Sequence, residues 1–280
     1  MVTISEWLFY AKNRLKYITN SPQKESEILL KKITGISQLH IIAFQEKKIN
    51  YKQIKKLEKF LYRREIGEPL EYILKECEFW SLNLKVSNCT LIPRIESECL
   101  VEQCLYYLDN KKFLKILDLG TGTGAIALAL ASEQKTWNIT GVDYILNAIY
   151  LAYKNSKRLK INNVKFIYSN WFSSLKNIKY NLIVSNPPYL SLNDFFLYKK
   201  FIYFEPISSL VSKKNGFQDI FFICKNSKKY LFNYGWLIIE HGWKQGKVVR
   251  KIFLYFNFKN IKTIYDYNHN ERITVGQFII

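Results

Sequence analysis

A chain of 280 residues with 48% hydrophobic content suits one large domain, or a catalytic domain with a small partner, and it has ample apolar material for a packed core. Its net charge of +19 raises a polyanionic partner, but only seven of the 42 basic residues are arginine, and lysines spread over every helix read as a solvated surface. Five cysteines without a C-x-x-C pair signal neither a zinc site nor a disulfide framework, no apolar run approaches a membrane span, and residues 1–15 lack the basic-then-apolar order of a signal peptide, so a reduced cytoplasmic setting is expected.

Residues 1–66 read as a small helical domain. Ser5 is placed to cap a first helix with Trp7, Leu8, Ala11, Leu15 and Ile18 on one face. Ser21-Pro22 is a cap followed by proline at the first helical position, with Ile28, Leu29 and Ile33 inward and Gly35 as the stop. A third short helix is expected over residues 37–44, and a fourth over 51–66 with Ile54, Leu57 and Leu61 inward. This patterning fits both a structural cap and a surface that grips a macromolecular substrate.

Residues 67–94 read as a connector, broken from the helix by Gly67 and Pro69. Residues 79–86 alternate and predict a strand, paired in a β-hairpin with residues 90–92. Residues 95–108 return to helical spacing. From residue 113 strands and helices alternate: strands over 113–119, 138–142, 164–168, 180–185 and 236–240, helices over 125–132, 146–159, 216–231 and 243–256, then strands over 261–265 and 273–279. That order predicts an α/β fold with a doubly wound, mostly parallel sheet and ligands beyond the carboxyl ends of its strands. The short loop between the last two strands makes one of them antiparallel.

Two stretches carry chemistry. The run Asp118-Leu119-Gly120-Thr121-Gly122-Thr123-Gly124-Ala125 joins the first strand of this series to its helix. Glycines let the backbone approach a ligand, and the helix start offers free N–H groups. The spacing is G-x-G-x-G, and no lysine-hydroxyl pair follows, so it is not a P-loop. A plain strand–helix turn needs one glycine; this one has three. Asp143 ends the next strand, roughly 20 residues on, where an acid binds ribose hydroxyls. A dinucleotide and S-adenosylmethionine both fit.

Asn186-Pro187-Pro188-Tyr189 decides between them. A hydride-transfer enzyme has no evident use for it, whereas methyl transfer to a planar NH2 group does. That nitrogen has a delocalised lone pair and needs acceptors for its hydrogens. The Asn186 side-chain oxygen and the Pro187 carbonyl supply two, the prolines keep competing N–H donors away, and Tyr189 is placed to stack on the planar group. Holding nitrogen, methyl carbon and sulfur in line in a dry pocket supplies the remaining rate. Alone, Asn-Pro-Pro reads as a turn. Trp171, after the third strand, fits packing against an adenine or an ordinary core position. His40, His241 and His269 lack metal-ligand spacing, and no metal is expected.

With those motifs in place the chain resembles the release factor glutamine methyltransferases, the PrmC/HemK family, over nearly its whole length. Glu78-Phe79-Trp80-Ser81-Leu82 and Thr90-Leu91-Ile92-Pro93-Arg94 are similar to that family's connector, and the glycine loop, Val142-Asp143 and residues 183–189 to its cofactor and catalytic segments. Phe204-Glu205-Pro206, Glu240-His241-Gly242, Gln245, Asp266 and Arg272 are similar to its C-terminal half. The resemblance implies a Rossmann-like methyltransferase domain over 95–280, a connector with a β-hairpin over 67–94 and a helical substrate-docking domain over 1–66. It also implies transfer of a methyl group from S-adenosyl-L-methionine to the glutamine amide of the Gly-Gly-Gln motif in peptide chain release factors. By the same resemblance Gly120, Thr121, Gly122, Thr123, Gly124, Asp143, Trp171 and Asn186 contact the cofactor, and Asn186, Pro187, Pro188 and Tyr189 hold the glutamine. The implied enzyme is a cytoplasmic monomer with a protein substrate, no nucleic-acid substrate and no membrane. The alternative is an adenine-N6 DNA methyltransferase, which uses the same Asn-Pro-Pro-Tyr stretch on a flipped base. Asn170 and Asn181 stand where the family commonly has Asp, Lys75 where it has Gly, and Ile95 where it has Pro.

Overall fold

Apolar residues spaced for one helical face begin the chain, and a computed structural model, describing residues 2–109, 111–176 and 178–280, resolves them into helices. Met1, the first residue of the expected helical domain, lies outside the described residues. The chain divides into two compact units, Met1–Glu76 and Cys77–Ile280.

The first unit holds α1 (Ile4–Leu15), α2 (Pro22–Thr34), α3 (Gln38–Ala43), α4 (Tyr51–Glu65) and α5 (Leu70–Leu74). Thr3, not Ser5, caps α1: Glu6 stands three residues on, so the two close a reciprocal capping box that Ser5 cannot form. Trp7, Leu8, Ala11 and Leu15 meet Leu29, Leu30, Leu57 and Leu61 in a buried core. Ile18 falls beyond the helix end and is exposed. Gly35 stops α2 in the left-handed conformation, as its position in the sequence implies. An Arg64–Glu25 ion pair at 2.6 Å ties α4 to α2. Lys75 ends α5 at φ 60°, a left-handed position that glycine takes without strain.

A hairpin of β1 (Glu76–Phe79) and β2 (Leu82–Lys85) starts at the last residue of the first unit and opens the second. Its partner strand differs from the expectation. Trp80 and Ser81 both take positive φ and turn the chain inside the stretch that alternation reads as one strand, and residues 90–92 form no strand. Glu98 accepts from the Trp80 backbone N–H at 2.7 Å and steadies that turn.

Then follow α6 (Glu98–Tyr107), β3 (Lys115–Leu119), α7 (Ala125–Glu133), β4 (Asn138–Asp143), α8 (Leu146–Leu159), β5 (Val164–Tyr168), β6 (Tyr180–Ser185), α9 (Leu192–Ile202), α10 (Lys213–Gly216), α11 (Gln218–Ser227), β7 (Leu231–Glu240), α12 (Gly246–Tyr255), β8 (Lys259–Tyr265) and β9 (Glu271–Gln277). Seven strands form one sheet in the order β5-β4-β3-β6-β7-β9-β8, parallel except where β9 runs against β7 and β8. Core residues cover both sheet faces: Ile116, Ile139, Leu182 and Val184 belong to one buried cluster, Leu117, Leu119, Ile183 and Leu237 to another. That is why the central strands read as apolar runs without alternation. The expected strand at residues 236–240 is the second half of β7. Asn181 presents its side-chain oxygen to the Lys115 N–H at 2.8 Å, so an amide serves at this position as an acceptor.

Candidate active site

Strand register brings the separate motifs together. Leu119 pairs with Val142 on one side and with Ser185 on the other, so Gly120, Asp143 and Asn186 leave the sheet at one level. Asp143 pairs with Tyr168, which sets Ser169 and Trp171 beside it, and Ser185 pairs with Ile239, which sets Glu240 beside Asn186. Strand order reverses between β3 and β6, the switch point where such sheets bind ligands.

A cavity of about 910 Å³, mouth included, opens at this level. Gly120, Thr121, Gly122 and Thr123 form its floor, Asp143 and Trp171 one side, and Asn186 and Pro188 another. The connector closes it with Phe79, Thr90, Leu91, Pro93 and Arg94, and Ser208 and Ser209 complete the rim. Gly124, Pro187 and Tyr189 do not line it. Gly124 caps α7 at φ 84°, where a Cβ would lie 3.1 Å from Ala152, Leu128 and Phe166. Pro187 is buried within the turn.

The loop is made for close approach. Gly120, Gly122 and Gly124 all take positive φ, which other residues adopt only with strain. Thr121 donates to the buried Asp118 carboxylate at 2.6 Å, and burial pushes that carboxyl up to about 7. Asn155 on α8 donates to the Thr123 carbonyl at 3.0 Å while exchanging two bonds with the Lys85 backbone, joining the loop to the hairpin. Asp143 accepts one N–H per oxygen, from Gly122 at 3.0 Å and Ile145 at 2.9 Å. Each oxygen keeps a lone pair for a hydroxyl. Burial raises the Asp143 carboxyl above its ordinary value, against those N–H bonds. The Trp171 ring lies where a Cβ on Gly120 would meet it at 3.6 Å, so a flat group above Gly120 meets aromatic carbon. Glycine backbone, diol-binding acid and aromatic face in one cavity fit a nucleoside cofactor.

Two connections hold the rim and the catalytic turn. The Glu205 carboxylate accepts from the Ile92 N–H at 3.2 Å and pairs with Arg94, fastening the connector to the segment that carries Ser208 and Ser209. Gln245 donates to the Tyr189 carbonyl at 2.9 Å and accepts from the Gly242 N–H at 2.8 Å.

Tyr189 differs from its expected stacking role. Its ring packs on the core of one sheet face, and its hydroxyl donates to Glu240 at 3.4 Å, because a buried phenol needs an acceptor. Glu240 is itself buried and accepts from Ser97 at 2.6 Å; Ser97 in turn accepts from the Asn186 amide at 2.9 Å. Sequence reasoning assigned neither Ser97 nor Glu240 a place in the site. The signal was there for Glu240: an acid ending an apolar strand, the same feature that identified Asp143. Ser97 gave none. His241 is buried and uncharged, donating from Nδ1 to the Gly242 carbonyl and accepting at Nε2 from Thr274, with burial lowering it to about 4. Among the described residues no cluster of His, Cys, Asp and Glu is placed to hold a metal, and no helix is long and apolar enough to cross a membrane.

Comparison with known proteins adds independent findings. Residues 6–74 match the PrmC N-terminal domain, and residues 97–203 the methyltransferase small domain. The chain is 47% identical to the release factor glutamine methyltransferase of Buchnera aphidicola subsp. Acyrthosiphon pisum, covering 99% of each chain. It is 43% identical to the Escherichia coli protein of the same name, covering 97% of this chain and 98% of that one. A methyltransferase from Pyrococcus furiosus shares the fold, with a TM-score of 0.55 at 15% identity over 81% of this chain and 99% of that one.

Proposed function

This chain belongs to the release factor glutamine methyltransferase family, and from that premise we propose how its residues hold cofactor and glutamine. It is a methyltransferase acting on a glutamine side-chain amide of peptide chain release factors, and we take the Gly-Gly-Gln motif to supply that glutamine. The observation that carries the reading is the meeting of the glycine loop, Asp143 and Asn186 at one level of the sheet. S-adenosyl-L-methionine supplies an electrophilic methyl group when bound.

The loop backbone from Gly120 to Thr123, Asp143 and Trp171 hold the cofactor: the acid takes the ribose hydroxyls and the indole takes the adenine, with Gly124 setting the start of α7 behind them. Asn186 Oδ1 accepts one amide hydrogen of the glutamine, which helps turn the nitrogen lone pair toward the methyl carbon. Pro187 and Pro188 offer no N–H to compete. Tyr189 serves by fixing the turn through Glu240 and Gln245. The site walls exclude water, which keeps these dipoles effective. The small helical unit helps dock the release factor, and the enzyme works as a cytoplasmic monomer.

Labelled S-adenosyl-L-methionine offered with either a release factor or duplex DNA tests the reading. Label is expected on the release factor alone, and its loss when the Gly-Gly-Gln glutamine is replaced. Label on DNA instead would overturn it. Asn186→Ala is expected to lower turnover by about 10²–10³-fold, as removal of one positioned partner of a reacting group does elsewhere. Cofactor affinity should weaken far less; near-normal turnover would remove Asn186 from the proposed role.

A further inference from the structure

Asn186 works as an acceptor only if its amide is the right way round. The NH2 and carbonyl ends have nearly the same shape, so packing does not choose between them; the hydrogen-bond network must. Here Asn186 Nδ2 donates to Ser97 Oγ at 2.9 Å, and Ser97 donates to Glu240 Oε2 at 2.6 Å. Ser97 and Glu240 are 4% and 2% exposed, so water does not compete for the bond between them, while Asn186 reaches it from the cavity wall. A hydroxyl has one proton. Once it is committed to Glu240, Ser97 Oγ shows Asn186 only lone pairs. These attract the NH2 end and repel the carbonyl end.

We propose that Ser97 and Glu240 are positioning residues for methyl transfer: the Glu240 carboxylate sets the direction of the proton in a Glu240–Ser97–Asn186 chain and thereby presents Asn186 Oδ1 to the substrate amide. This deepens the glutamine-methylating reading and rests on it. The chain draws on three elements. Ser97 ends the 3-10 turn Ile95–Ser97, Glu240 ends β7, and Asn186 follows β6. A wall of the cavity and the neighbouring strand thus orient a side chain that belongs to neither.

The groups facing Glu240 decide when the direction holds. Tyr189 donates to Oε1 from the turn after β6. Arg272 on β9, itself bonded to Asp266, favours the carboxylate, while Glu96 on the Ser97 turn opposes it. Arg94 lies close enough to act on Tyr189. Burial outweighs these and raises Glu240 to about 7. When protonated, Glu240 donates to Ser97, and the serine proton is released toward Asn186, where it stabilises the reversed amide. Positioning is therefore lost as pH falls.

The test compares wild type with Ser97→Ala, Ser97→Thr and Glu240→Gln on an intact release factor, with cofactor affinity measured separately. Ser97→Ala is expected to lower kcat by about 10- to 100-fold, the size of effect that slight misplacement of a reacting group produces. Cofactor affinity should hold within about threefold, and Ser97→Thr, which keeps the hydroxyl, should restore kcat to within about threefold of wild type. Wild-type kcat should fall below an apparent pKa of about 7, and Glu240→Gln should lose that limb because an amide does not titrate. The inference is overturned if Ser97→Ala matches wild type, if Ser97→Thr is as poor as Ser97→Ala, or if Glu240→Gln keeps the wild-type limb. A wild-type enzyme that leaves the release factor unlabelled would instead refute the reading beneath it.

Discussion

A single missing methyl group shapes the catalytic turn. Gly216 sits at φ +88°, and a Cβ there would lie 2.1 Å from the Tyr189 carbonyl oxygen and 2.8 Å from Gln245 Nε2. Both partners belong to the bond that holds the Tyr189 backbone, so neither can yield without moving the turn. Gly35 has a similar backbone, φ +72°, but open space around it. Comparing the two isolates crowding from strain. Gly35→Ala is expected to cost about 1–2 kcal/mol, the left-handed penalty, with turnover unchanged. Gly216→Ala is expected to add about 1–3 kcal/mol of overpacking and to lower kcat by roughly tenfold or more, because Asn186 moves with the turn. Denaturant midpoints and turnover of both variants check this; equal turnover would place the turn beyond the reach of Gly216. Nothing in the sequence announces this role. Gly216 meets Tyr189 across the fold, and local patterning does not carry such contacts. The glycines at 120, 122 and 124 were legible because all three fall inside one continuous motif.

Elements around the cavity were legible where their burial is one-sided or complete, and illegible where a fold contact replaces a pattern. β3, β4 and β6 read correctly from short apolar runs. α9 did not, because Phe196 and Leu197 are 64% and 76% exposed and leave no inward periodicity; the Ser191–Asp194 capping box was its available signal. The hairpin turn escaped because neither Trp80 nor Ser81 belongs to the Asn, Asp and Gly set that favours the positive φ both adopt. The clamp between connector and rim escaped for a third reason: Arg94 and Glu205 are far apart in sequence. Glu205 is nearly sealed, its side chain 1% exposed against 40% for Arg94. Truncating Arg94 leaves a buried carboxylate without its cation, whereas truncating Glu205 leaves an arginine that water can solvate. Screening on the arginine side holds the expected loss for Arg94→Ala to about 1–3 kcal/mol, below that of a fully buried pair. The double variant Arg94→Ala with Glu205→Gln should be more stable than Arg94→Ala alone, since a neutral amide still accepts from Ile92. Urea denaturation of the set decides it; a double variant less stable than Arg94→Ala would mean that the charge is not what the clamp balances.

Across the whole molecule the site concentrates buried ionisable groups that the dispersed charge of +19 conceals. Glu240 is raised from 4.5 to about 7, and Asp118 from 3.8 to about 7, both chiefly by burial. In each case the folded state holds a proton that the unfolded chain releases, so the stability it contributes is full below the unfolded value and gone above about 7. His241 runs the other way, lowered from 6.5 to about 4; its contribution is full above 6.5 and disappears as pH falls through 4. Between about pH 5 and 6.5 these slopes oppose one another, and Asp118 and Glu240 titrate together above that, so a single wild-type curve does not separate them. Glu240→Gln does. It removes one titration and leaves Asp118 and His241 in place, so they cancel in the comparison. Wild type should lose about 2–3 kcal/mol more than Glu240→Gln on going from pH 5 to pH 8, from the separation of the folded and unfolded values of that one group. Urea unfolding of both proteins at the two pH values measures it. Parallel pH dependences would mean that Glu240 is ionised in the folded protein across that range, and the direction of the Ser97 proton would then be fixed between pH 5 and pH 8. A difference of the expected size makes the same carboxylate a stability burden above neutrality and the orienting charge for Asn186, a conflict that selection for activity alone sustains.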